Sequence, residues 1–440
     1  MHKERLASML DIKLVRKNPE IIRENLKKRN DPQILELFEE LFTLDARWRR
    51  NVAEVNILRQ KRNRMSLEIA QLKKSGKTVN EELRESEQVL EKMQESEEEI
   101  RSQEERIRSL RSKIPNLIHD SVPVGKDEDD NVEIRRWGRS PKFGFEAKDH
   151  LSILKNLDLI DERATKIAGS GFFYLKKELA LLDYAIQRFA IDFLMEKGFV
   201  LIEPPFMVNK EVYTGMIGDP AEFAEASYKI ENEELYLIPT AEYPLGALFM
   251  NEVFGRDELP VKLVGVSPCF RKEVGTHGKY AKGLFRMHQF NKVEQFVFCL
   301  PEDSWRLHEE LQRNSEELYQ RLGLNYRVVN VCTGDLGKKA AKKYDLEVWM
   351  ADNKFREAGS NSNCTDYQAR RMNIKYRNKE GQPPIDYVHT LNNTALATSR
   401  TIIAIVEQFQ QADGHVELPE VLWDYMGGIK RLGKEKNVPS

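Results

Sequence analysis

Apolar residues recur in alternating steps of four and three from Leu37 onward: Leu41, Leu44, Trp48, Asn51, Val55, Leu58, Arg62, Met65, Ile69 and Leu72 follow. This rhythm predicts a long helix with a coiled-coil seam, in which the polar exceptions Asn51 and Arg62 set register. Asn18-Pro19-Glu20 and Asp31-Pro32 supply helix starts ahead of it, while Leu10 to Val15 reads as a short strand or the start of a helix. Lys73 to Asn80 interrupts the pattern. A weaker run then picks out Leu83, Leu90, Met93, Ile100, Ile107, Leu110, Ile114 and Leu117. Two long helices joined by a short glycine-containing turn fold back antiparallel. Pro115 and Pro123-Val124-Gly125 end the second helix. An N-terminal helical domain over residues 1–118 and a second domain over 119–440 are therefore expected.

Beyond Val132 the period changes. Leu179, Leu182, Ala185, Ile186, Phe189, Phe193 and Leu194 predict a helix that stops at Gly198, before a strand closed by Pro204-Pro205. Val261 to Phe270, Leu284 to Phe298, Tyr236 to Ile238, Tyr326 to Val331, Tyr344 to Met350 and Val388 to Leu391 read as strand-prone. Pro301 to Leu322, Asp366 to Ile374 and Thr398 to Gln411 read as helices. Tyr213 to Phe223 and Ala226 to Glu234 read as loops, Phe355 to Asn363 as a polar turn, and Asn392 to Ala397 as a turn into the last helix. Strands adjacent in sequence without regular crossover helices argue for an α+β fold, a mainly antiparallel sheet flanked by helices.

Charge changes the picture only locally. Lys and Arg number 69 against 71 Asp and Glu, a net charge of -2, so any nucleic-acid contact must come from a local basic stripe. The first long helix carries such a stripe, including Arg47, Arg50, Arg59, Lys61, Arg62, Arg64, Lys73 and Lys74, and the second is acidic. Salt bridging between the arms and a phosphate-tracking face are the two readings of this division. The four cysteines are spread with no C-x-x-C, which disfavours a disulfide framework or a clustered zinc site. The N-terminal apolar run is too short for a signal peptide, and no stretch approaches a membrane span, so a cytoplasmic protein is expected.

Several motifs fail on inspection. Gly334 to Lys339 lacks P-loop spacing, His308-Glu309-Glu310-Leu311-Gln312 lacks the second histidine of a zinc protease, and no G-x-G-x-x-G occurs. What remains is the hairpin predicted around Lys262 to Glu294. Arg271 and Lys272 sit at one side of its base and Arg286 at the other, with a glycine-rich loop, Val274 to Gly283, expected to be mobile. Arginines facing one another are costly unless an anion lies between them, which makes the hairpin a polyphosphate clamp or, alternatively, a charged sheet edge.

The segments PCFRKEVGTHGKYAKGLFRMHQFNKVEQF, VVNVCTGDLGKKAAKKYDLEVWM, NCTDYQARRMNIKYR and VHTLNNTALATSRTI decide between these. With them, from about Met9 to Met426, the chain resembles the seryl-tRNA synthetases, a family of class II aminoacyl-tRNA synthetases. The resemblance implies activation of L-serine by ATP and transfer to the 3′ end of tRNA(Ser), with tRNA(Sec) a further acceptor to be weighed. A catalytically silent relative that binds tRNA or another partner is the alternative.

The resemblance also implies a homodimer formed through Gly198 to Pro205, and a hairpin arm that grips tRNA. Arg271 and Arg400 would be catalytic. Arg271, Lys272, Glu273, Arg286, Met287, Phe290, Glu357, Ala358, Gly359, Ser360 and Arg400 would hold ATP, with Glu357 and Ser360 on its Mg²⁺. Thr240, Ala241, Glu242, Arg271, Glu294 and Thr394 would surround serine. The chain departs from the family pattern at Gly359, where a hydroxyl is commoner, and at Asn393, Ala395 and Ser399, where glycines often precede the arginine.

Overall fold

The computed structural model describes residues 10–217, 227–273 and 283–433. The loop expected to be mobile lies outside them except for Gly283. The chain divides into two compact units, the first ending at Pro115 and the second beginning at Asn116.

The first unit is helical. α1 (Ile12–Lys17) resolves the ambiguity at Leu10 to Val15, because the Asp11 carboxylate accepts a hydrogen bond from the Lys13 amide at 2.8 Å and so caps a helix. α2 (Pro19–Lys27) follows, and then α3 (Pro32–Lys74) runs for 43 residues. That length corresponds to about 65 Å of helix. Asp31 caps it through the Gln33 amide at 2.9 Å, and Pro32 occupies the first turn, where no amide donor is needed. The chain turns at Gly76, whose φ of +71° favours glycine, into α4 (Asn80–Lys113).

The seam on α4 differs from the expected one. Leu83 and Leu90 are exposed. The inward row instead runs Val89, Met93, Ser96, Ile100, Gln103, Ile107, Leu110 and Ile114, stepping strictly by four and three. Leucine count misleads here because the seam admits small and polar residues at Ser96 and Gln103. Gln103 is buried, and Asn51 Nδ2 donates to its Oε1 at 3.3 Å, forming a polar layer that penalises any slip of one helix past the other.

Part of the basic stripe is taken up between the arms. Arg47 pairs with Glu99 at 2.5 Å, Arg59 with Glu97 at 2.8 Å and Lys61 with Glu85 at 2.6 Å. Such exposed pairs contribute only tenths of a kcal/mol each. Arg50, Lys73 and Lys74 make no ion pair with a described residue, so uncompensated positive charge remains midway along α3, at Arg50, and at its turn-proximal end, at Lys73 and Lys74.

The second unit is built on one large sheet. Its elements, numbered on through those that matter here, are β1 (Val132–Trp137), α5 (Lys177–Glu196), β2 (Val200–Ile202), α6 (Lys210–Ile217), α7 (Glu242–Ala247), β3 (Val261–Phe270) and β4 (Gln289–Cys299). There follow α8 (Ser304–Arg321), β5 (Tyr326–Asn330), β6 (Lys342–Trp349), β7 (Phe355–Asn363), β8 (His389–Ala397) and α9 (Thr398–Gln408). The eight strands lie in the order β1-β5-β6-β7-β8-β4-β3-β2, antiparallel throughout except for the parallel pair β2–β3.

Three expectations are corrected. Of the loop expected over Tyr213 to Phe223, the part up to Ile217 belongs to the helix Lys210–Ile217, at whose start Asn209 Oδ1 accepts from the Val212 amide at 2.9 Å; residues 218–223 lie outside the described residues. Phe355 to Asn363 is a central strand, and Asn392 to Ala397 continues the strand begun at His389. Both contain polar runs because one face of each strand lines a cavity rather than a core, a situation in which alternation fails as a signal.

The sheet's period of two separates its faces. On β4, Val293 and Val297 pack into a core with Leu182, Ile186 and Phe189 of α5 and Ile402 and Val406 of α9. Phe296 and Phe298 turn the other way, into a second core with Tyr213, Met216, Ile238 and Tyr243. Phe290, Lys292 and Glu294 share that second face, so the same alternation that builds a core at one end of β4 builds a polar cavity at the other.

His308 on α8 ties this sheet to its helix layer. Its Nε2 donates to the Asn361 carbonyl of β7 at 3.1 Å, and Asn361 Nδ2 donates back to the His308 carbonyl at 2.9 Å. Burial lowers the imidazole's pKa to about 4, from an ordinary value of 6.5. The unfolded chain therefore binds a proton that the native state refuses, and the associated stability, present above pH 6.5, is lost as pH falls toward 4. The full shift corresponds to roughly 3 kcal/mol. Between pH 7.5 and pH 5 about 2 kcal/mol of this should be lost in denaturant titrations of the wild type, and less in His308→Gln.

Candidate active site

A cavity of about 540 Å³ opens where β3, β4, β6, β7 and β8 meet the segment before α7. Thr240, Glu242, Arg271, Glu273, Arg286, Glu294, Glu357, Ser360 and Thr394 line it, together with Lys292, Asp335, Lys339, Lys343, Ser362 and Asn392. A smaller adjoining cleft is lined by Phe285, Met287, Phe290, Ala358, Gly359 and Arg400. Arg271, Glu273, Lys292, Glu357 and Thr394 border both.

At one end the cavity is a small polar pocket. Thr240 Oγ1 donates to Glu294 Oε2 at 3.2 Å, while accepting from the Glu242 amide at 3.1 Å. This closeness depends on Gly265 of β3, directly across from Glu294, where an added Cβ would lie 2.6 Å from Leu245 Cδ1 and 3.1 Å from Ala241 Cβ. Ala241 itself is fully buried and supports the pocket from behind. Glu294 is 1 % exposed. Burial pushes its carboxyl above the ordinary range, Lys292 opposes that, and the neighbouring Glu242 adds to it.

Glu242 is held by Lys339 Nζ at 2.6 and 2.7 Å, by Gln368 Nε2 at 2.6 Å and by Asn392 Nδ2 at 3.3 Å. With its acceptor sites so occupied, its carboxylate is fixed in place and shapes the pocket wall.

Backbone irregularities place the groups at the other end. Glu357 and Ser360 are three residues apart and would face opposite sides of a regular strand. A bulge at Ala358 brings both onto the cavity side, where Ser360 Oγ donates to Glu357 Oε1 at 3.1 Å. A second bulge falls at Ala395, after Thr394. Gly359 accommodates Thr394, since a Cβ there would come within 3.0 Å of the threonine's Cβ and carbonyl oxygen. Asn393 donates to the Leu311 carbonyl at 2.6 Å and to Ser315 Oγ at 2.9 Å, which pins β8 to α8. The departures from the family pattern thus form a mutually consistent local structure.

The cations are largely paired with the site's own acids. Arg286 Nε contacts Glu273 Oε2 at 2.5 Å; Arg400 donates to the Glu357 carbonyl at 2.6 Å and lies 3.5 Å from its Oε1. Lys292 sits on Glu294. Burial would raise the Glu357 carboxyl, but Arg400, Lys343 and Arg271 outweigh it and hold the group down at about 2. Asp345, beneath it on β6, is pushed up to about 7 by burial, against the pull of Lys343.

Arg271 differs from these cations. It makes no ion pair with a described residue. Its Nε reaches only the Pro239 carbonyl, at 3.4 Å, and its guanidinium carbon lies 5.2 Å from the centre of the Phe290 ring.

The structure brings together most of the residues singled out by sequence. Lys272 is an exception: it lies 5.8 Å from the centre of the Tyr228 ring, outside both cavities. Lys292, Lys339, Lys343, Asp345 and Asn392 were not singled out. Lys292 had a signal, since it stands midway between Phe290 and Glu294 on a strand.

An antiparallel sheet carrying arginines and acids in a polar cleft is consistent with a class II tRNA synthetase catalytic domain, and the family comparison shows that class. A family model for the class II core domain of the G, H, P, S and T synthetases matches residues 227–409, and one for the seryl-tRNA synthetase N-terminal domain matches residues 9–118. Serine–tRNA ligase of Methanocella arvoryzae is 47 % identical over 426 residues, covering 96 % of this chain and all of the relative; that of Pyrococcus horikoshii is 48 % identical over 450 residues, covering 97 % and 98 %.

Among solved structures, P. horikoshii seryl-tRNA synthetase complexed with ATP superposes with a TM-score of 0.93 at 47 % identity, covering 97 % of this chain and 99 % of that one. The Naegleria fowleri cytoplasmic enzyme in complex with AMP gives 0.87 at 39 %, covering 98 % and 100 %. The chain belongs to the seryl-tRNA synthetase family.

Proposed function

We propose that the chain activates L-serine with ATP to seryl-adenylate and transfers the seryl group to the 3′ end of tRNA(Ser). The observation that carries this reading is Arg271, an unpaired cation at the junction of a small acidic pocket and an aromatic-lined cleft. Serine's ammonium goes to Glu294 beside Thr240, and its hydroxyl finds polar partners toward Thr394. Adenine lies against Phe290 with Met287 at its edge and Glu273 near its amino group. The outer phosphates take Arg286 and Arg400 away from their present acids. Alanine lacks the hydroxyl and would leave buried polar groups unpaired, which enforces discrimination.

The serine carboxylate is already ionised, so its attack on the α-phosphorus needs no general base. The bond to the β-phosphate breaks, its electron pair leaves with pyrophosphate, and Arg271 faces the charge on the α-phosphate oxygens. The tRNA hydroxyl then attacks the seryl carbonyl carbon and AMP departs.

Glu357 and Ser360 offer hard oxygen donors suited to Mg²⁺, and among the described residues no cluster of three or more His, Cys, Asp or Glu side chains forms an all-protein metal cage. Glu357 and Ser360 would hold the ion. When bound, Mg²⁺ supplies charge neutralisation to the phosphates.

The α3–α4 hairpin is the arm for tRNA, using the unpaired basic residues near its turn. Dimerisation through Gly198 to Pro205 is supported by β2, a three-residue strand at the sheet edge with Val200 58 % and Leu201 43 % exposed. No described helix is long and apolar enough to cross a membrane, and a cytoplasmic location is proposed with the rest. Serine-dependent exchange of labelled pyrophosphate into ATP tests the reading.

A further inference from the structure

Lys292 is buried, with 5 % of its surface exposed, in a site whose proposed chemistry joins one carboxylate to one phosphate. Its ammonium rests on Glu294 Oε2 and reaches Thr394 Oγ1 at 3.5 Å. It borders both the serine-side cavity and the adenine-side cleft, as does Arg271. Among the described cations of the site, these two alone line both cavities. The place where they meet is the place where the acyl–phosphate bond must form.

Charge matching within the pocket gives Lys292 a second position. A zwitterionic serine brings an ammonium to Glu294, the same acid that now holds Lys292. Two ammonium groups on one buried carboxylate repel each other in a medium of low effective dielectric. The same serine brings a carboxylate into the pocket. The flexible four-carbon stem of lysine allows its point charge to follow that anion, as the rigid arginine fork does not.

We propose that Lys292 is a catalytic residue: serine's ammonium displaces it from Glu294, and it then bridges the serine carboxylate and the α-phosphate oxygens opposite Arg271. The inference rests on the reaction proposed above. Lys292 forms no covalent bond and transfers no proton. The carboxylate oxygen attacks the α-phosphorus, the phosphorus–oxygen bond to the β-phosphate breaks, and the electron pair leaves with pyrophosphate, while Lys292 and Arg271 neutralise the two anions that must approach each other. Glu294 thereby holds the second cation in store until the amino acid arrives. The arrangement also favours amino acids over amines, since a ligand with an ammonium but no carboxylate would expel Lys292 without giving it a new partner.

The test compares wild-type enzyme with Lys292→Gln and Lys292→Arg, with folding checked by thermal melting. Two quantities are read: kcat for serine-dependent pyrophosphate exchange at saturating ATP and serine, and the ratio of affinities for L-serine and serinol, which keeps the ammonium and hydroxyl but lacks the carboxylate. In Lys292→Gln, kcat should fall about 100-fold, the usual scale for losing one preorganised donor at developing charge. The serine-to-serinol affinity ratio should fall about 10-fold, as for loss of a charge-assisted hydrogen bond.

Lys292→Arg should recover part of the kcat by restoring the charge. A lysine that merely neutralises Glu294 would change serine and serinol binding by the same factor. The proposal is overturned if either quantity in Lys292→Gln stays within threefold of wild type. If Lys292→Gln does not fold, Lys292→Arg decides: a kcat and ratio both identical to wild type overturn it, and a depressed ratio supports it. Absence of serine-dependent exchange in the wild type would instead refute the reaction itself.

Discussion

Replacing Arg271 by alanine is expected to lower serine-dependent pyrophosphate exchange by at least 1,000-fold, corresponding to about 4 kcal/mol of transition-state stabilisation, while leaving the thermal melting temperature nearly unchanged. The two halves of this expectation come from the same observation. Arg271 makes no ion pair with a described acid, acts on Glu357 only at longer range and behind Arg400 and Lys343, and makes one long hydrogen bond, to the Pro239 carbonyl. Its removal therefore strands no buried partner, in contrast to removal of Lys339, which would leave Glu242 without its cation. A guanidinium kept in place without an internal counter-ion is preorganised for an anion that arrives from outside, and such groups act mainly on the transition state. Arg271→Lys should restore little, because a point charge cannot address carboxylate and phosphate oxygens together. A melting temperature lowered by many degrees would show that the arginine acts through the fold.

Shortening the arm should separate the two half-reactions. Arg59 and Glu97 lie level on α3 and α4, paired at 2.8 Å, so deleting Gln60 to Ser96 and closing the ends with a glycine-rich turn preserves the base of the hairpin and its Asn51–Gln103 layer. Pyrophosphate exchange should stay within a few-fold of the full-length enzyme, since every residue of the proposed site lies in the second unit. Charging of tRNA(Ser) should fall by 100-fold or more at physiological salt. The full-length enzyme's affinity for tRNA should decline steeply with salt, and the shortened one should show a shallower slope, because Lys73 and Lys74 are among the phosphate partners removed. Unaltered charging by the shortened enzyme would detach the arm from tRNA recognition.

The parts of this molecule that were legible in its sequence are those where one physical rule dominates. The hydrophobic period of α3 is regular, and every seam position named from Leu37 to Leu72 is buried or half-buried. β3 spans Val261–Phe270, as its apolar run indicates. Where two demands compete, the period breaks down. On α4 the leucines at 83 and 90 face solvent, because the geometry of the pair, rather than hydrophobicity residue by residue, selects Ser96 and Gln103 for the interior.

β7 and the end of β8 read as turns because their cavity faces carry Glu357, Ser360, Ser362, Asn392 and Thr394. The bulge at Ala358 that aligns Glu357 with Ser360 has no local sequence signature. For the candidate site, the hairpin motif identifies Arg271, Glu273, Arg286 and Glu294, but Lys339 and Asn392 are brought in by tertiary packing around Glu242. Lys292 was accessible to the alternation of β4 and went unnoticed because a lysine in a charged strand reads as surface.

The central claim, that Arg271 and the Glu294–Thr240 pocket form a site for activating serine, is tested most directly by pyrophosphate exchange into ATP with serine, threonine, alanine and glycine measured side by side on the full-length protein. Serine should support exchange with a kcat/KM at least 1,000-fold above alanine and glycine, whose missing hydroxyl leaves buried polar groups unpaired. Exchange supported equally by alanine, or by none of the four, would contradict it.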